Sequence, residues 1–226
     1  MSKKINVGRS LRESNDEVAA RNRRLFAGKG VYVMNMIGSP GSGKTAILEQ
    51  TAQGFRPDGR EPRFAAIIGD VKTALDAERI AAHGVEARAI ETGGSCHLNA
   101  RQIEETAAGL DLDALDFLFI ENVGNLVCPS ALDLGENIKV AVLSVPEGDE
   151  KIRKYPALFV RADVVFINKI DLLPHCPYDV ERVKDDARKV RPGVEVFETS
   201  AARGEGFEAW FEFLKGHATK GREVSD

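Results

Sequence analysis

Three groups of residues in this sequence have types and spacings that do chemistry. The first, Gly38-Ser39-Pro40-Gly41-Ser42-Gly43-Lys44-Thr45, fits the phosphate-loop pattern G-x-x-x-x-G-K-[ST]. Its glycines let backbone N–H groups turn toward phosphate oxygens with no Cβ in the way. A helix opening behind the loop adds unpaired donors and partial positive charge. Lys44 is then placed to reach the β- and γ-phosphates, and Thr45 to bind Mg²⁺. The second group is Asn168-Lys169-Ile170-Asp171, directly after an apolar run. A carboxylate there accepts from both N1–H and the 2-amino group of guanine. Adenine lacks that amino group and would leave a buried charge unpaired. Asp171 therefore selects guanine, while Asn168 and Lys169 shape the pocket and cover the ring. Thr199-Ser200-Ala201 can add a backbone contact to the guanine oxygen, a weaker signal because such turns are common.

The third group is Cys96-His97 together with Cys128. Thiolates and imidazole suit zinc, nickel and copper. The same residues also read as a small buried hydrophobe, a histidine in the first turn of a helix, or a redox pair. Position favours the metal. Cys128 lies seven residues past an acid, Glu121, on the segment that would report the γ-phosphate state. Three ligands do not close a tetrahedral site, but a two-fold dimer would bring four cysteines and two histidines to one seam. The third cysteine, Cys176, follows His175 in a proline-flanked loop and reads as structural.

A phosphate loop needs a carboxylate near a strand end to hold magnesium's water shell. Asp70 closes the run from Phe64, and Glu121 closes the run from Asp116. Asp76 is a further possibility, although a helical setting makes surface exposure its default. No residue declares itself as the activator of the attacking water, and no arginine is assignable in cis. Slow intrinsic hydrolysis, helped by dimerisation or a partner, is the expectation.

Strands and helices alternate around these groups. An opening helix is expected over residues 12–26, with Ser14 and Glu17 at capping-box spacing and Val18, Ala19, Leu25 and Phe26 on one face. Strands are expected at 31–37, 64–68, 85–90, 116–120, 138–144, 163–167 and 194–197. Helices are expected from the phosphate loop to 53, then at 75–83, 98–108, 178–190 and 207–214. This is the α/β pattern of a mostly parallel twisted sheet flanked by helices on both faces, a P-loop NTPase fold. We expect residues 1–226 to form one domain ending in a short polar tail at 220–226.

Of the 226 residues, 43% are hydrophobic and 29% charged, ordinary values for a folded chain. The net charge of −4 makes no electrostatic case for nucleic acid or a membrane surface. The longest apolar runs are too short to span a bilayer, and no secretory signal is visible, so the expected compartment is the cytoplasm. Three cysteines do not suggest a disulfide scaffold.

The chain resembles the hydrogenase nickel-incorporation GTPases, the HypB family. The segments that carry the resemblance are Gly38–Thr45, Gly69-Asp70-Val71, Asp76-Ala77-Glu78-Arg79-Ile80, Thr92 to Leu98, Glu121 to Pro129, Lys154-Tyr155-Pro156 and Asn168–Leu172. The Cys-His and Glu-Asn-Val-Gly-Asn-Leu segments are far more specific than the phosphate loop. The related urease GTPases share the phosphate loop and guanine motif but lack this cysteine pattern. The resemblance implies GTP-dependent nickel insertion during [NiFe]-hydrogenase maturation, with dimerisation on binding GTP and a metal at the interface. It implies a nickel-binding accessory protein and the hydrogenase large-subunit precursor as partners. Carried over, Cys96, His97 and Cys128 are the interface ligands for nickel or zinc. Thr45, Asp70 and Glu121 serve magnesium, and Asn168, Lys169 and Asp171 serve the guanine of GTP or GDP. Some family members carry an N-terminal cysteine-rich or histidine-rich stretch. Residues 1–30 here contain neither Cys nor His, so only the site in the GTPase domain is expected. Two competing readings are a GTPase whose zinc only holds a dimer together, and a metal or redox module with a vestigial nucleotide site. Intact Lys44, Thr45 and Asp171 argue against the second.

Overall fold

The computed structural model describes residues 7–61, 63–70 and 75–218, apart from the side chains of residues 7–13, 58 and 70. The polar tail expected at 220–226, Val71, and the side chain of Asp70 lie outside the described residues. Strand β1 (Tyr32–Gly38) has every side chain but that of Tyr32 buried, as a central parallel strand requires. Beside it lie β2 (Phe64–Asp70), β3 (Glu86–Glu91), β4 (Phe117–Glu121), β5 (Ile138–Ser144), β6 (Val164–Asn168) and β7 (Glu195–Thr199). Among the described residues they form one sheet of seven strands in the order β3-β2-β4-β1-β5-β6-β7. Every pairing is parallel. β3 is an edge strand, mostly exposed, and its charged Glu86, Arg88 and Glu91 discourage pairing with another chain.

Side chains alternate between two faces. Met34, Met36, Phe117 and Phe119 pack under α2 (Lys44–Gly54), α3 (Leu75–Ala81) and α8 (Glu208–Ala218), whose Trp210 is fully buried. Val33, Ile67, Leu118 and Ile120 face α1 (Val7–Gly28) and α4 (Ala100–Ala107). On the same side, Ile37, Leu143, Val165 and Ile167 pack against α5 (Lys151–Lys154), α6 (Pro156–Phe159) and α7 (Val180–Val190).

Several element boundaries differ from expectation, and two of the differences have a clear local reason. α1 begins at Val7, not near residue 12, so Ser14 and Glu17 sit inside the helix and cap nothing. Its buried stripe runs through Val18, Ala19, Asn22 and Phe26, while Leu25, at the stripe's edge, is 39% exposed. Polar residues replace apolar ones on that stripe because they bond across to the rest of the fold. Asn15 donates to the Asp133 carbonyl and accepts from Ala100 N–H, and Asn22 donates to the carbonyls of Ala100 and Leu134. α4 starts at Ala100 rather than 98, because Asn99 forms a reciprocal capping box with Gln102. Leu98 is thereby left in the loop, where it anchors the Cys-His segment.

Candidate functional site

The C-terminal ends of β1, β2, β4 and β6 converge on one edge of the sheet, where open α/β sheets bind ligands. The phosphate loop leaves β1 and enters α2 through Gly43, whose φ is 101°. A Cβ there would stand 2.1 Å from Asn168 Nδ2, so the loop and the guanine motif meet at a residue that only glycine can occupy. Lys44 is nearly buried. Its Nζ lies 3.5 Å from the Gly38 carbonyl, 3.4 Å from the Ser39 carbonyl and 3.8 Å from Glu121 Oε1. Thr45 Oγ1 donates to the same carboxylate oxygen at 3.0 Å. A cavity of about 500 Å³ opens over these groups, lined by Pro40, Lys44, Thr45, Asp76, Arg79 and Glu121.

Within this cluster Glu121 Oε2 and Ser42 Oγ are buried with no hydrogen-bond partner. Buried polar atoms are ordinarily satisfied. An orphaned carboxylate oxygen beside a threonine hydroxyl is a donor set that suits a hard cation and its water shell, so the residues fit magnesium. Burial, the dominant influence, pushes the Glu121 carboxyl up to about 7, against the lowering effects of Lys44 and Thr45.

That shift predicts how stability varies with pH. The folded chain keeps a proton on Glu121 that the unfolded chain releases from pH 4.5 upward. Stability from this group is therefore lost as pH rises from 4.5 through 7, by about 3 kcal/mol. Glu121→Gln, neutral at every pH, is expected to melt above wild type when nucleotide-free at pH 8, by about 5–10 °C. The gap should shrink toward pH 5. Thermal melts across that range test this, and parallel pH profiles for the two proteins would refute it.

At the other end of the cavity Asn168 ties three segments together. Its Nδ2 donates to the Ser42 carbonyl at 3.0 Å, and its Oδ1 accepts from Thr199 Oγ1 at 3.3 Å and Ala201 N–H at 3.1 Å. Ala201 N–H, a sequence candidate for the guanine oxygen, is therefore engaged with Asn168 here, and Ser200 N–H donates to the Glu205 carbonyl. Ser200 Oγ donates to Asp171 Oδ1 at 2.6 Å, which fixes the carboxylate's orientation. Lys169 has φ 63°, the one positive value among described non-glycine residues, and its Nζ donates to the Gly41 carbonyl at 2.6 Å. A left-handed lysine costs about 1–2 kcal/mol, the kind of strain found at functional sites.

Cys96, His97 and Cys128 come together although 32 positions separate the two cysteines. One ligand atom from each lies within 4.8 Å of the others, and Cys96 Sγ stands 3.5 Å from His97 Nδ1. The left-handed pair Gly93 and Gly94 turns the chain out of β3 toward this point. Asn125 Oδ1 accepts from Val127 N–H at 2.8 Å and Cys128 N–H at 3.4 Å, holding the other arm. Hydrogen bonding with the Cys128 thiol is the main influence that raises Cys96 above the ordinary thiol range. Two sulfurs this close can both ligate one cation once their protons leave. Cys176 packs against the apolar cluster beneath α7, away from this group.

Two charged side chains in the cavity wall go beyond the reading from sequence, which offered Asp76 only as a further magnesium candidate and gave Arg79 no role. Asp76 is half-buried in the cavity wall rather than displayed on a helix surface. Arg79 lines the same wall, held by Glu49 at 2.7 and 3.0 Å and by Asp76 at 2.9 Å. The Asp76–Arg79 spacing, one helical turn, was the available signal.

Residues 32–198 match the family model of the CobW/HypB/UreG nucleotide-binding domain. The chain is 46% identical to the hydrogenase maturation factor HypB of Azotobacter vinelandii over 214 residues, covering 95% of this chain and 70% of that protein. The chain belongs to the HypB family. The HypB of Escherichia coli K12 is also 46% identical, over 203 residues covering 90% of this chain and 69% of that one. Among solved structures, HypB from Helicobacter pylori in complex with nickel superposes with a TM-score of 0.85 at 40% identity, covering 92% of this chain and 96% of that one. HypB from Archaeoglobus fulgidus gives 0.83 at 39% identity, with 91% and 99% covered. As a member of this family the chain carries a P-loop nucleotide-binding domain. Among the described residues no helix is long and apolar enough to cross a membrane.

Proposed function

We propose that this protein is a GTP-hydrolysing metallochaperone that delivers nickel during [NiFe]-hydrogenase maturation. The observation that carries this reading is one continuous segment. It starts at Glu121, in the phosphate cavity, and ends at Cys128, in the Cys-His-Cys cluster. The sequence identity to hydrogenase maturation factors, and the likeness to a relative solved with nickel, support the cargo.

In this reading Asp171, oriented by Ser200, accepts from the guanine edge, and Lys44 holds the β- and γ-phosphates. Thr45 and Glu121 hold magnesium, with Asp70 at the end of β2 as a further candidate. The bound ion supplies charge neutralisation on the phosphates. Water displaces GDP from the γ-phosphorus, slowly unless a partner supplies a group that activates that water. GTP closes a dimer of two copies around the cluster, which adds the ligands that one copy lacks. Loss of the γ-phosphate frees Glu121, moves the segment and changes affinity for nickel, which passes to the next protein in the maturation sequence.

Cys128→Ala tests the reading. Linkage is reciprocal, so nickel must change GTP-analogue affinity by the same factor by which the analogue changes nickel affinity, typically ~5–150-fold. The variant is expected to bind nickel more weakly and to lose nickel's effect on GTPγS affinity. Metal-free GTPγS binding should stay close to wild type, and Cys176→Ala should match wild type throughout. Equal GTPγS affinities in wild type with and without saturating nickel would refute the coupling and leave a static zinc site at the dimer seam.

A further inference from the structure

Glu121 and Asn122 are neighbours at the end of β4, and the strand's two-residue period sends them to opposite faces. Glu121 continues the line of Phe117 and Phe119, toward α2 and the phosphate loop. Asn122 continues the line of Leu118 and Ile120, toward α4 and the Cys-His loop. It is 1% exposed, and both polar atoms of its side-chain amide are hydrogen-bonded. Oδ1 accepts from Leu98 N–H and Val123 N–H, each at 3.1 Å, and Nδ2 donates to Asn35 Oδ1 at 3.2 Å. Leu98 directly follows His97.

Leu98 is pinned a second time from β2. A Cβ on Gly69 would come within 2.8–2.9 Å of the Leu98 side chain, so the strand backbone and this side chain are in direct contact. The arm bearing Cys128 is pinned in the same manner. A Cβ on Gly124 would lie 2.8 Å from Pro40 Cγ and 3.0 Å from Pro40 N, so this arm rests on the phosphate loop itself. Both arms of the metal cluster are thus attached to elements that touch the nucleotide cavity.

We propose that Asn122 is the positioning residue that couples the two sites. Resting on the nucleotide–metal coupling proposed above, this assigns the joint through which it acts. A pull on the Glu121 carboxylate rotates the strand end and carries Asn122 with it. Its bond to Leu98 N–H then moves His97 relative to Cys128. Asn122 is also bonded to Asn35, whose Nδ2 donates to Glu136 Oε1 at 3.2 Å, a buried network outside the path from Glu121 to His97.

The experiment measures nickel dissociation constants in GDP-bound and GTPγS-bound protein and takes their ratio. A purely structural loss weakens both affinities alike and leaves the ratio unchanged. Wild type is expected to give a ratio at least about fivefold from one. Asn122→Ala should bring it to within about twofold of one, the largest change expected at any residue that ligates neither metal nor nucleotide. Asn35→Ala, which damages the same buried network but spares the Leu98 bond, should lower melting temperature while retaining the ratio. Gly69→Ala, which pushes a methyl into the Leu98 side chain, should alter the ratio even if Asn122→Ala does not fold. Retention of the wild-type ratio in Gly69→Ala and in any folded Asn122→Ala would overturn the assignment, as would loss of the ratio in Asn35→Ala. A wild-type ratio of one overturns the coupling itself, and that outcome is read before any variant is made.

Discussion

Asp171→Asn is expected to shift nucleotide preference from GTP toward xanthosine triphosphate. Xanthine carries a carbonyl where guanine has its 2-amino group, so a carboxylate that suits guanine repels xanthine. Asparagine presents an N–H₂ there instead. The surrounding geometry favours a clean exchange. Ser200 Oγ already binds Asp171 Oδ1 at 2.6 Å, and the amide oxygen of asparagine can accept the same bond. The new amino group then takes the place of the second carboxylate oxygen and faces the base. Sites that reject a substrate by leaving a polar group unpaired discriminate by roughly 10⁴–10⁵-fold. A swing of about that size in the ratio of GDP to xanthosine diphosphate dissociation constants is the expected result. Undiminished GDP affinity in the variant would show that Asp171 does not contact the base.

Lys44→Ala carries the second large effect. Lys44 Nζ is held by two carbonyls of the phosphate loop and stands 3.8 Å from Glu121 Oε1, nearly sealed from water. A preorganised cation in such a place stabilises developing phosphate charge far better than it would in water, and removing one such donor costs at least about 10²–10³ in turnover. Single-turnover GTP hydrolysis should fall by that factor or more, with weaker nucleotide binding as well. The nucleotide-free variant should nonetheless fold, because losing Lys44 raises the Glu121 carboxyl further and leaves it protonated instead of stranded as a bare charge. Hydrolysis within tenfold of wild type would remove Lys44 from the phosphate-binding role.

The phosphate loop and the Asn168–Asp171 motif were legible because each is contiguous and each follows an apolar run that can only be a buried strand. The alternating order of strands and helices was legible for the same reason, and the all-parallel sheet follows from it. The opening helix was misread at its start because Ser14 and Glu17 have the spacing of a cap. Spacing cannot reveal that the preceding residues already continue the helix. Its polar contacts were not legible because Asn15 and Asn22 look like solvent residues until Ala100, Asp133 and Leu134 are placed opposite them.

What the sequence determined by itself was local. It contained a loop shaped for phosphates, a carboxylate suited to guanine, and thiol and imidazole groups of the kind that bind soft metals. Tertiary structure alone decided which of these meet. Cys96 and Cys128 lie far apart in the chain and become neighbours because β3 and β4 run parallel on either side of β2, so the loops that follow them emerge at one edge. Asp76 and Arg79 become cavity residues because α3 packs beside α2 on the phosphate-loop face. The division of labour between Glu121 and Asn122 depends on the register of β4. A slip of one residue would exchange their faces, and only the packing of Phe117 and Phe119 under α2, against Leu118 and Ile120 under α4, holds that register in place.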